Sequence, residues 1–215
     1  AKRNGHMIDL YTWSTPNGRK VSILLEELGL DYTVHSVNIG AGNQKTPEFL
    51  GISPNGKIPV IVDHDTGINV MESGAILVYL AEKYNQFLPT NEIGRAKVME
   101  WLMWQMGGLG PILGQAHHFL HFNPGKSNYA ELRFQNEVAR LYGVLDKRLV
   151  GRHYICDDYS IADIACWPWV SRYEWQRVNL AEYPNVQTWY KKLLARNAVQ
   201  RGYHVPKKMN EIPTG

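Results

Sequence analysis

Between Ile8 and Tyr84 the spacing of apolar residues switches repeatedly between the two-residue alternation of strands and the 3.6-residue recurrence of helices. IDLY reads as a strand, Val21, Leu24, Leu25 and Leu28 recur at helical intervals, and YTVHSV returns to strand character. A short helix is expected near Pro47–Leu50, followed by two strands, IPVIVD and INVM, joined by a turn at Asp65–Gly67. Ile76, Leu77, Tyr79, Leu80 and Tyr84 then share one face of a closing helix. The order βαβαββα specifies a small mixed sheet with helices packed on it.

After the polar, proline-containing NQFLPTNEI the strand pattern stops. RAKVMEWLMWQMGG is amphipathic, and its Gly107-Gly108 and Gly110-Pro111 are expected to bend or break the helix. Ala130, Phe134, Val138, Leu141, Leu145 and Leu149 are expected to form one continuous apolar face, and SIADIACWPWV and VQTWYKKLL complete a helical region. In YSIADI, Ser160 is the expected N-cap, Asp163 reaches back to the cap N–H, and Tyr159 and Ile164 pack as a staple, so these residues are structural. The expected division is an α/β domain over residues 7–85 and an all-α domain over residues 94–205. Gly5-His6-Met7 resembles a cloning scar before a natural start at Met7.

Composition excludes several classes of function. A formal net charge of +3, evenly spread, gives no electrostatic footprint for nucleic acid. No apolar run suits a membrane span, and the first residues lack the apolar core of a secretory signal. The two cysteines, Cys156 and Cys166, form neither a C-x-x-C nor a metal-ligand pair, which points to free thiols in a reducing, cytoplasmic setting. Cys166 lies in an apolar helical pattern and is expected to be a buried structural thiol, while Cys156 precedes two aspartates that would disfavour its thiolate. GISPNGKI imitates a phosphate-binding loop, but Ile58 stands where a magnesium-binding Ser or Thr belongs and a strand follows. His117 and His121 in HHFLH have a metal-compatible spacing without an accompanying Glu, Cys or Asp, so no metal is expected.

The stretch YTWSTPNGRK joins the first strand to the first helix. Thr15 suits an N-cap, Pro16 the first helical turn, and Gly29 the helix end. Hydroxyls, the Asn17 amide and unpaired backbone N–H groups then converge on the positive end of a helix, an environment suited to an anion, a thiolate included. A capped turn with no further role accounts for the same residues.

TPNG, GAGNQKTPEFLGISPNGKIP, MESGAIL, WQMGGLGPILGQAHHF and YSIADIACWPWV together resemble the glutathione transferases, from Met7 to about Val205, and are most similar to the bacterial nu-class members that act as disulfide-bond oxidoreductases. The resemblance implies a thioredoxin-like first domain, a helical-bundle second domain and a two-fold homodimer, with the aromatic- and glycine-rich Trp101–Gln115 as a surface to be covered. It implies glutathione, reduced or oxidised, as co-substrate. Pro59 matches the family's cis-proline, which positions the backbone of Ile58 to pair with the cysteinyl part of glutathione. Glu72 and Ser73 match the pair that holds the γ-glutamyl amine and carboxylate; Gln44 and Lys57 match positions at the glycyl end; Arg133 matches a basic residue directed at glutathione from the second domain. Thr15 and Asn17 are the implied neighbours of the reactive sulfur, although Tyr11 and Ser14 lie close to the places where other families carry a catalytic hydroxyl. The implied reaction is reduction of a small-molecule disulfide, or of a peroxide; conjugation of glutathione to an electrophile, or ligand binding without turnover in a regulatory protein, are the alternatives.

Overall fold

The structure, a computed structural model, describes residues 7–215, so the expected remnant at residues 1–6 lies outside it. The chain separates into two compact units, one built from residues up to Gln86 together with Asn197–Ile212, the other from Phe87–Arg196 with Pro213–Gly215.

The first unit follows the order written by the sequence: β1 (Ile8–Thr12), α1 (Pro16–Glu27), β2 (Tyr32–Ser36), α2 (Pro47–Ile52), β3 (Val60–Asp63), β4 (Ile68–Met71) and α3 (Ser73–Tyr84). The strands lie in the order β2-β1-β3-β4, with β1 parallel to β2 and the other pairs antiparallel. Tyr11 stands opposite both His35 and Val60, and Val60 opposite Met71, so these residues share one face of the sheet. That face packs with Val37 and with Phe49 of α2. The adjacent pair Leu10 and Ile61, pointing the other way, is fully buried, each side chain contributing roughly 1.5–3 kcal/mol.

The second unit comprises α4 (Glu92–Trp104), α5 (Gly110–Ala116), α6 (Asn128–Arg148), α7 (Ile161–Val170) and α8 (Pro184–Leu194). The glycines after α4 do not break the helix as expected. The backbone passes through a π-helical turn at Gln105–Leu109 into α5, whose first turn takes Pro111 where a missing N–H costs nothing, and through a second π-turn at His117–Phe122. Within Trp101–Gln115, Leu102, Gln105, Leu109 and Leu113 are buried in their own unit, so only part of that segment is surface. On α6 the apolar face is buried from Val138 to Leu149, whereas Ala130 and Phe134 are only half-buried.

The start of α7 is capped as its sequence spells out. Ser160 Oγ accepts from Ala162 N, and Asp163 Oδ2 accepts from Ser160 N at 3.0 Å. Asp163 also accepts from Ile155 N and Trp189 Nε1 through Oδ1, both at 2.9 Å, so one fully buried carboxylate ties three segments together. Burial outweighs these bonds and lifts its pKa to about 6.

One boundary differs from expectation. Asn197–Ile212, read from the sequence largely as part of the helical domain, belongs with the first unit because α9 (Asn197–Tyr203) packs on α1. A Cβ on Gly202 would lie 2.6 Å from the backbone N and Cα of Ile23, so only glycine permits this approach. Ser22 Oγ donates to Gly202 O at 2.7 Å, and Arg19 Nε donates to Tyr203 O at 3.0 Å with its guanidinium over the Tyr203 ring. Among the described residues no helix is long and apolar enough to cross a membrane.

Candidate active site

The β1–α1 junction has the chemistry its sequence suggests. Thr15 is the N-cap in an extended conformation, its Oγ1 accepting from Gly18 N at 3.2 Å, and Pro16 opens the helix. Because Oγ1 is the acceptor in this bond, the Thr15 hydroxyl keeps a proton to donate. Asn17 occupies the first turn, half-buried. Gly18 is required here, since a Cβ would lie 2.3 Å from Trp13 O and 2.4 Å from Thr12 Oγ1.

The two alternative hydroxyls are differently engaged. Ser14 Oγ donates to Lys207 O at 3.2 Å. Tyr11 lies on the α2 side of the sheet, stacked on His35 at 4.3 Å, and burial, then the charge of Asp9, pushes its pKa up, so its phenol remains protonated.

A second cluster forms at the start of α3, which packs against α1. Glu72, just before the helix, has φ 69° and ψ 116°, a strained conformation for a residue other than glycine that costs roughly 1–3 kcal/mol. Its Oε1 accepts from Asn55 Nδ2 at 3.1 Å. Ser73, the first residue of α3, is buried, and its Oγ accepts from Lys20 Nζ at 3.2 Å. Lys20 is itself fully buried and lies three residues after Asn17, on the same side of α1. The candidate residues at the two helix starts are thereby linked, Asn17 to Lys20 along α1 and Lys20 to Ser73 across to α3.

The Ile58–Pro59 peptide bond is cis, and Ile58 lies just before the β3 ladder, which begins at Val60. Gln44 sits in a single 3₁₀ turn before α2 with its Oε1 buried and unpartnered, an acceptor without a donor. Lys57 is exposed, and its carbonyl accepts from Ser53 Oγ at 2.9 Å. Arg133 belongs to the second unit, on the exposed side of α6. Sequence reasoning missed Lys20 and Asn55. Lys20 had a visible signal, a charge four residues before Leu24 in the buried row of α1; Asn55 had none beyond its place in a turn.

The histidine pair is not poised for a metal. His117 is buried, and its Nε2 accepts from Gln176 Nε2 at 3.0 Å; burial first, then Arg172 and His121, pushes its pKa down to about 3, leaving a neutral ring. His121 instead stacks on Trp175 at 4.2 Å. Among the described residues no group of three or more His, Cys, Asp and Glu side chains could hold a metal ion. Neither cysteine is in a disulfide and both are buried, and the Cys156 thiol is pushed up to about 11 chiefly by burial and then by Asp163, with the neighbouring Asp157 a minor cause.

Residues 15–83 match the glutathione S-transferase N-terminal domain and residues 109–197 the glutathione S-transferase C-terminal domain. The disulfide-bond oxidoreductase YfcG of Escherichia coli is 52% identical over 198 residues, 89% of this chain and 92% of that protein. A glutathione transferase from Pseudomonas putida, solved with one glutathione disulfide bound per subunit, superposes with a TM-score of 0.89 at 43% identity, covering 95% of this chain and 94% of that one. A glutathione transferase from Burkholderia graminis, solved with two glutathione molecules per subunit, gives 0.89 at 42% identity over 94% and 90% of the two chains.

Proposed function

Because the chain belongs to the glutathione S-transferase family, we propose that it is a glutathione-dependent disulfide-bond oxidoreductase whose reactive sulfurs come from glutathione and substrate alone. The observation that carries this reading is the helix start at Thr15–Gly18, rich in donors and empty of sulfur, in a protein whose two thiols are both buried elsewhere. The names of its relatives point the same way: a protein 52% identical is a disulfide-bond oxidoreductase, and related structures hold a glutathione disulfide or two glutathiones.

A thiol like that of free cysteine, with a pKa of about 8.5, is mostly protonated near neutrality. The Thr15 hydroxyl, the Asn17 amide and the α1 N-terminus favour its thiolate. That thiolate attacks one sulfur of the substrate disulfide, forms a mixed disulfide and releases the first substrate thiolate. A second glutathione thiolate attacks the glutathione sulfur of the mixed disulfide, giving glutathione disulfide and the second substrate thiolate, so two glutathiones are oxidised for each disulfide reduced. The same thiolate can attack a peroxide oxygen, breaking the O–O bond and expelling an alkoxide or hydroxide that takes up a proton; the glutathione sulfenic acid formed condenses with a second glutathione to give glutathione disulfide and water. In this reading Ile58 pairs with the cysteinyl backbone, Glu72 and Ser73 hold the γ-glutamyl amine and carboxylate, Gln44 and Lys57 take the glycyl end, and Arg133 adds a positive charge. The unpartnered Gln44 Oε1 supports its part, since a ligand N–H would satisfy it.

One set of variants tests the mechanism. With Cys156 and Cys166 both replaced by alanine, reduction of a small model disulfide by glutathione should proceed at nearly the original rate. Adding Asn17→Ala to that background should lower turnover about tenfold, the worth of one charge-assisted hydrogen bond, with glutathione affinity largely kept. Loss of activity in a folded cysteine-free protein would make one of the two thiols the nucleophile. Unchanged turnover for both Asn17→Ala and Thr15→Ala would move the role to Ser14, Tyr11 or the backbone.

We also propose a cytoplasmic homodimer. Two cysteines outside any disulfide support a reducing setting. Tyr129 and Leu132 on α6, 76% and 61% exposed, line a cavity of about 600 Å³ with Ile112 and Phe134 on its apolar side and Asn136, Glu137 and Arg140 on its polar side, a mixed surface suited to a second copy. Sedimentation at micromolar concentration should give twice the 24.6 kDa of one chain; a clean monomer would refute the dimer.

A further inference from the structure

A lysine ammonium has three hydrogens and no lone pair, so a hydroxyl oxygen at hydrogen-bond distance from it can only be the acceptor. Lys20 Nζ stands in that relation to Ser73 Oγ at 3.2 Å, with both side chains buried. The Ser73 hydroxyl must therefore turn its own proton toward another acceptor. Ser73 is also the first residue of α3, where backbone N–H groups lack helical acceptors and the helix end is positive. The buried ammonium thus adds positive charge beside a site already favourable to an anion, where water screens it little.

We propose that Lys20 is a positioning residue for the ligand's γ-glutamyl carboxylate: it fixes the Ser73 hydroxyl as a donor to that carboxylate and supplies positive charge behind it. The proposal rests on the reading that Ser73 holds the γ-glutamyl carboxylate. It assigns the selectivity for an anionic γ-glutamyl end to a residue on α1, one turn from the group that faces the sulfur. Sulfur activation and carboxylate recognition are then built into the first two turns of a single helix.

The test compares two ligands by titration calorimetry: glutathione, and γ-aminobutyryl-cysteinyl-glycine, which keeps the amine and lacks only the carboxylate of the γ-glutamyl α-carbon. The original protein should bind glutathione at least about tenfold more tightly than the ligand lacking the carboxylate alone. In Lys20→Met this preference should shrink to within about twofold, through weaker glutathione binding, while affinity for the carboxylate-free ligand stays nearly constant. Equal losses for both ligands in a folded variant would make Lys20 a packing residue and overturn the proposal. If the original protein does not distinguish the two, the carboxylate reading of Ser73 fails and the proposal falls with it. Should Lys20→Met fail to fold, judged by circular dichroism, Lys20→Gln removes the charge while keeping a polar head, and the same comparison decides.

Discussion

Asp163→Ala is expected to lower the unfolding free energy by about 3 kcal/mol, enough to remove much of a typical domain's stability. The side chain accepts from Ile155 N, Ser160 N and Trp189 Nε1 in a fully buried setting, and the substitution leaves all three donors without their acceptor. Each unsatisfied donor costs roughly 1–3 kcal/mol. Relief from burying a carboxylate works the other way; lifting the pKa from 3.8 to about 6 corresponds to roughly 3 kcal/mol. The unsatisfied donors outweigh that relief, and the space left by the carboxylate adds to the loss. Urea unfolding followed by circular dichroism measures the difference, and a change below about 1 kcal/mol would contradict this account of α7.

Gly18→Ala should reduce kcat/KM more than about a hundredfold, because displacements near 1 Å in a site built on alignment have effects of that order. The obstacle is backbone: the new Cβ would sit 2.3 Å from Trp13 O, and the start of α1 must move away from the end of β1. Thr15, capped onto Gly18 N, moves with it, as does Asn17. Gly51→Ala is the control, since a Cβ there meets nothing within 4 Å. It should leave activity unchanged and helix stability equal or slightly better. Steady-state kinetics on both variants, with melting curves to separate misfolding from misalignment, would decide; near-original activity for Gly18→Ala would show that the junction tolerates displacement.

The elements of the first unit from β1 to α3 were legible because each carries its own local signal: Thr15-Pro16 opens α1, Gly29 with φ 64° closes it, and the alternation of Ile8 and Leu10 fixes the buried face of β1. The Ser160–Asp163 cap was readable for the same reason, its partners lying three residues apart. What the sequence hid depends on contacts between distant positions. Gly202 looks like a weak point in a helix until Ile23 is found against it. The place of Lys20 in the row of Leu24 signals burial, but its partner is known only when Ser73 stands beside it. The π-turns after α4 escaped because Gly-Gly and Gly-Pro signal a break, whereas a single wider turn absorbs them and keeps the helix going.

The docking of α9 on α1 has a consequence for how the protein is made. Translation delivers the strands and helices of the first unit early, but Arg19, Ser22 and Ile23 on α1 find their partners in Gly202 and Tyr203 only after the whole helical unit has been synthesised. At roughly 5–20 residues per second this interval lasts on the order of ten seconds, during which one side of α1 remains uncovered on the nascent chain. A ribosome that stalls before Asn197 therefore releases a chain that carries Thr15, Asn17, Glu72 and Ser73 yet lacks the segment that covers α1, so the helix that presents the donors is completed last although it is made nearly first.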